Sequence, residues 1–240
     1  MQYFQSKHTW LLYILAAFTV LNLYANYKYD FVLELASKPF LIPILGIYFY
    51  LNTREVTQEY KKSLTNFILI ALSLAWVGDV LLLFQTQNPL FFMLGLGSFL
   101  VSHIFYILTF KKSLQNKELG DTKTLLIRAI PFIGTFILMF TYLYKSLDAV
   151  MLVAVPLYML VIVTMAFMAM ERTGKVLKAS AEYVFFGAFL FMVSDSLLAI
   201  DIFVKNVTIP YAPVLVMATY IAAQALIVYG MMIQIKSSLN

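Results

Sequence analysis

Residues 64–84 read LTNFILIALSLAWVGDVLLLF, and residues 181–204 read AEYVFFGAFLFMVSDSLLAIDIFV. Each stretch is apolar for long enough to cross a bilayer, which takes about 20 residues for about 30 Å of hydrocarbon. Each also carries one aspartate deep inside it. At a rise of about 1.5 Å per residue, Asp79 lies roughly 22 Å from the start of its stretch and Asp195 roughly 20 Å from the start of its own. Working outward, six further segments have the same character. The expected spans are residues 9–24, 31–51, 64–84, 90–110, 125–144, 149–170, 181–204 and 211–235.

Composition agrees. The chain is 62% hydrophobic and 12% charged, about half the charge of a soluble domain, and no segment is left over for a soluble domain. Lipid gives open backbone no hydrogen-bond partners, so the spans must be helices, and no two-residue alternation suggests a barrel. The expected fold is therefore all-α: a polytopic membrane bundle of eight transmembrane helices forming one domain over residues 1–240. The apolar run after the polar N-terminal tail has no small-residue cleavage site after Val20, so it reads as the first span, not a leader.

Arginine and lysine give an orientation. Thirteen of the 17, from Lys7 to Lys236, fall on one side, in the N-terminal tail, the loops at 52–62, 111–123 and 171–178, and the C-terminus. Lys28, Lys38, Lys145 and Lys205 fall toward the other. Both termini are expected in the cytoplasm. The net charge of +5 is thereby read as orientation and not as nucleic-acid binding. With no cysteine and only His8 and His103, disulfides, thiolate sites and a three-histidine zinc site are excluded. No cofactor is expected.

The segment Trp76–Leu82 resembles Met192–Leu198, Asp79 matching Asp195. A parallel four-plus-four duplication explains this; so does the chance likeness of apolar segments. Either way, ionisable groups inside spans are costly and point to function. Two helices running the same way bring Asp79 and Asp195 to similar depth. If they are neighbours, the carboxyls face each other, and one is expected to hold a proton in a dry pocket, as acid–base chemistry requires. His103 reads as a group orienting a carboxylate or touching a polar head group, or as an interhelical hydrogen bond. Lys38, at the start of the second span beside Pro39 and Pro43, reads as a counter-ion for an aspartate or a phosphate, or as a snorkelling lysine. Asp201 and Glu182 read as rim residues. Gly95–Ser98 is not a G-x-S-x-G elbow, and no phosphate loop or dinucleotide fingerprint occurs.

Taken together, these residues resemble the YhhN-like lysoplasmalogenase family of eight-span membrane proteins. The resemblance runs from about Ser37 to about Ile235. It rests on Lys38-Pro39 with Pro43, on Gly78-Asp79, on Gly95 and Phe99 leading to His103 and Tyr106, and on Gly187 leading to Ser194-Asp195 and Leu198-Ala199. It implies hydrolysis of the vinyl ether bond of a lysoplasmalogen, with Asp79 and Asp195 as the catalytic pair. Lys38, His103, Tyr106 and Ser194 would contact the substrate. The partners implied are a lysophospholipid and water, and the expected location is a bacterial inner membrane. Asp195, which follows a run of Phe and Met, is the expected acid and Asp79 the expected base, although the reverse stays open. Two other classes need the same aspartates. An intramembrane aspartic protease would carry Gly-x-Gly-Asp and Tyr-Asp, whereas here Trp76-Val77-Gly78-Asp79 and Ser194-Asp195 stand. A proton-coupled transporter would suit paired carboxylates and a duplication.

Overall fold

The computed structural model describes residues 8–115 and 117–237; Lys7, counted above toward orientation, lies outside them. Eight α-helices follow one another: α1 Trp10–Lys28, α2 Phe31–Thr53, α3 Glu59–Leu83, α4 Pro89–Ser113, α5 Thr122–Leu143, α6 Met151–Met170, α7 Lys178–Phe203 and α8 Ala212–Lys236. A short 3-10 turn, Tyr144–Ser146, extends α5. All eight are long and apolar enough to span a membrane, and no strand occurs among the described residues. This is an integral membrane helical protein.

Local chemistry sets the helix ends. The Asp30 side chain accepts from the Leu33 amide at 3.1 Å and starts α2. Asn88 accepts from the Leu90 amide at 2.9 Å, with Pro89 at the first helical position of α4, where its missing N–H costs nothing. Asp121 caps α5 through the Thr124 amide. Helices α3 and α7 start five and three residues before the apolar runs that announce them, because Glu59 and Lys178 continue the helix into the polar zone. Lys38 is not at a helix start. It lies in the third turn of α2, with Pro39 and Pro43 inside the same helix.

Membrane helices gain little from hydrophobic burial against one another, so close backbone approach and interhelical hydrogen bonds do more of the work. The two most extensive pairs show both. Between α3 and α4, Ser98 and Ser102 donate to the carbonyls of Leu74 and Ala71 at 2.6 and 2.7 Å. The Phe99 ring sits where a Cβ on Gly78 would be, 2.6 Å away. Between α7 and α8, Ser194 donates to the Val216 carbonyl at 3.0 Å, and a Cβ on Gly187 would meet the Ala223 carbonyl oxygen at 2.8 Å. Packing runs α1–α2–α3–α4 and again α5–α6–α7–α8, and the halves join through α4 on α6 and α8 on α2. Helix α5 stands apart, burying only Phe132 and Leu143.

At the end that holds the basic loops, Arg172 is wholly buried. It donates from Nε to Ser113 Oγ at 2.9 Å and from one Nη to Ser180 Oγ at 2.7 Å, tying the end of α4 to the start of α7. Burial pushes its guanidinium down to about 9. Beside it the buried Glu171 pairs with Lys175 at 2.8 Å and Arg128 at 3.3 Å.

Candidate active site

A cavity of about 1100 Å³, counting its open mouth, lies among α3 to α8, with Lys38 of α2 also on its wall. Its lining is mostly apolar: Leu96 and Phe99 of α4, Phe136 and Met139 of α5, Met159 and Ile162 of α6, Met192 and Ala199 of α7. Against that wall the polar groups are few, among them Lys38, Asp79, Tyr158, Ser194, Asp195 and Tyr220. The two aspartates of the founding stretches thus open onto one chamber.

The two helices that carry them are not close neighbours. Helices α3 and α7 do not pack extensively on each other; α8 packs on both. Each carboxyl is held by a tyrosine from a different helix. Tyr220 of α8 donates to Asp79 Oδ2 at 2.7 Å, and Tyr158 of α6 donates to Asp195 Oδ2 in a short hydrogen bond. Asp79 is 3% exposed, so its carboxyl has little access to water outside the cavity. Behind Tyr220, Gln224 Nε2 donates to the Tyr220 oxygen at 3.4 Å, and Tyr106 donates to Gln224 Oε1 at 2.5 Å.

Lys38 is paired along its own helix with Glu34 at 3.1 Å. Lys38 therefore sits on the cavity wall as half of an ion pair. Ser194 lines the cavity, but its hydroxyl is given to Val216. His103 and Tyr106 are fully buried and line no part of the cavity. The His103 ring lies edge-on to Phe191 and Tyr158, with centroids 4.5 and 5.4 Å away, and neither ring nitrogen has a hydrogen-bond partner. It touches no carboxylate. Tyr106 reaches Asp79 only through Gln224 and Tyr220.

Sequence reasoning missed Tyr158, Tyr220, Gln224 and Glu34. One signal was present: Tyr220 and Gln224 are four apart, hence on one face of an apolar helix. No group of three or more His, Asp or Glu placed to hold a metal forms among the described residues.

The arrangement defines a class: an eight-helix membrane protein with two tyrosine-held carboxyls on one mostly apolar cavity. The YhhN family model matches residues 33–231, and the chain belongs to that family. Its relatives include the lysoplasmalogenase TMEM86A of Bos taurus, 31% identical over 189 residues, covering 78% of this chain and 73% of that protein. The lysoplasmalogenase TMEM86B of Sus scrofa is 27% identical over 186 residues, covering 78% and 70%. No solved structure matches the chain.

Proposed function

We propose that this protein hydrolyses the vinyl ether bond of lysoplasmalogens, releasing a fatty aldehyde and a glycerophospho-head-group, with Asp79 and Asp195 as its acid–base pair. The observation that carries this reading is the opening of both carboxyls onto one mostly apolar, open-mouthed cavity. The names of the relatives supply the substrate class. The expected setting is the cytoplasmic membrane of a bacterium.

The chemistry fits the groups. One carboxylic acid gives its proton to the alkene carbon that does not bear the ether oxygen. The π electrons form the new C–H bond, and the neighbouring carbon becomes an oxocarbenium ion. The other carboxylate stabilises that cation and takes a proton from the attacking water, giving a hemiacetal. In collapse of the hemiacetal, the first carboxylate takes the hydroxyl proton, the carbon–oxygen bond to the glycerol breaks, and the second, now protonated, carboxyl gives its proton to the glycerol oxygen. The products are aldehyde and alcohol, and the enzyme returns to its starting protonation. Glycosidases treat a related cation with two carboxyls. The Lys38 ammonium, exchanging Glu34 for the substrate, supplies a cation for the phosphate, and the apolar wall from α5 and α6 takes the alkyl chain.

Asp79→Asn and Asp195→Asn should each lower aldehyde release by at least about 10²-fold, the low end of acid–base contributions, without changing the helical circular dichroism. Mass spectrometry of purified protein mixed with vinyl-ether and acyl lysolipids reads the products. Near-normal turnover in both variants ends the acid–base assignment. Transport of an unaltered solute into proteoliposomes would favour a carrier instead.

A further inference from the structure

The two carboxyls look equivalent in sequence, yet their hydrogen-bond surroundings differ. Three side chains form a one-way chain into Asp79: the Tyr106 hydroxyl donates to Gln224 Oε1, Gln224 Nε2 to the Tyr220 oxygen, and the Tyr220 hydroxyl to Asp79 Oδ2. Its direction depends on which way the Gln224 amide points, and the distances decide that. A separation of 2.5 Å suits O–H···O, whereas N–H···O bonds run about 2.7–3.2 Å. The amide oxygen therefore faces Tyr106, and the NH₂ group faces Tyr220 at the longer 3.4 Å. The Gln224 NH₂ group faces the Tyr220 oxygen in a long contact, which favours the Tyr220 proton on the Asp79 side. Tyr106 and Gln224 are buried away from the cavity, and Tyr220 reaches its wall.

Asp195 is held differently. The Tyr158 oxygen contacts Asp195 Oδ2 and has no second hydrogen bond among the described residues. The same contact can therefore run either way, from tyrosine to carboxylate or from a protonated carboxyl to the tyrosine oxygen. Behind Tyr158 stands the His103 ring, edge-on and making no hydrogen bond to it. Lys38, paired with Glu34 at 3.1 Å, lines the same cavity.

From this asymmetry we infer that Gln224 is a positioning residue, which through Tyr220 fixes Asp79 as the ionised acceptor and so leaves the reactive proton on Asp195. The inference rests on the vinyl ether reading for its rate measurements, but not for where the proton is held. An amide cannot pass a proton onward without becoming an imidic acid, so the chain orients Asp79 and does not feed it.

Two measurements test this. Infrared spectroscopy of the detergent-solubilised protein at neutral pH reads the carbonyl stretch of a protonated buried carboxyl. That band should vanish in Asp195→Asn and persist in Asp79→Asn; the opposite pattern overturns the assignment. Aldehyde release gives the second. Gln224→Met, unbranched and of similar size, should lower kcat by roughly 10-fold or more, as loss of support for a charged acceptor does, with KM little changed. The acid-side limb of its pH profile should move to higher pH and the alkaline limb stay in place, while Tyr158→Phe should move the alkaline limb. Tyr220→Phe repeats the first test if Gln224→Met does not fold. A merely structural chain would lower activity without moving one limb alone, and that result overturns the inference. If the unaltered protein releases no aldehyde, the vinyl ether reading fails, and the infrared band still decides which aspartate holds the proton.

Discussion

Neither nitrogen of His103 is hydrogen-bonded, and the ring is packed against two aromatic neighbours. A polar group left unpaired inside a protein costs about 1–3 kcal/mol. His103→Leu, which fills similar space without polar atoms, should therefore keep or raise the melting temperature and retain most aldehyde release. Thermal unfolding and turnover measured together check this, and abolished turnover in a folded variant would show that the imidazole meets the substrate. At this scale the sequence was informative in one respect. A carboxyl in an apolar run is conspicuous, so Asp79 and Asp195 could be found by inspection. Tyr158 and Tyr220 could not, because the chain has 16 tyrosines and an aromatic ring in a span is ordinary. What marks those two is the direction in which their hydroxyls point, which only the packing of α6 and α8 determines. Lys38 was legible as a buried charge, but its nearest partner, Glu34 on the same face of α2, was not weighed.

Among the helices, all eight were predictable because length and apolarity leave a membrane span few alternatives. Their ends were less so, since the helices continue past the apolar runs wherever caps and polar first turns allow. Which helix touches which was not predictable: α3 and α7 share a chamber with α8 packed on both. Small residues carry that packing. Gly187→Ala would place a methyl group 2.8 Å from the Ala223 carbonyl oxygen and 2.9 Å from the Ile227 amide nitrogen, backbone atoms that cannot turn aside. It should destabilise the α7–α8 pair by about 1–3 kcal/mol, the usual cost of overpacking. Gly97→Ala meets nothing within 4 Å and should be neutral. Comparing their thermal midpoints in one detergent tests this.

Seen whole, the molecule is a bundle in which consecutive helices pack in chain order within α1–α4 and within α5–α8. Its charge asymmetry gives the orientation we propose, with the basic loops in the cytoplasm. The absence of native cysteine makes that simple to test. A membrane-impermeant thiol reagent should label Lys205→Cys in intact cells and Lys123→Cys only after the membrane is opened. Labelling in the reverse order would invert the topology.

Helix α5 contributes Thr135, Phe136 and Met139 to the chamber while burying almost nothing of itself. The reaction hall is therefore screened from the surrounding acyl chains by a partition one helix thick. On the proposed reading, the two products part according to solubility. The greasy aldehyde has a short way sideways past that single helix, and the water-loving remainder must leave toward water.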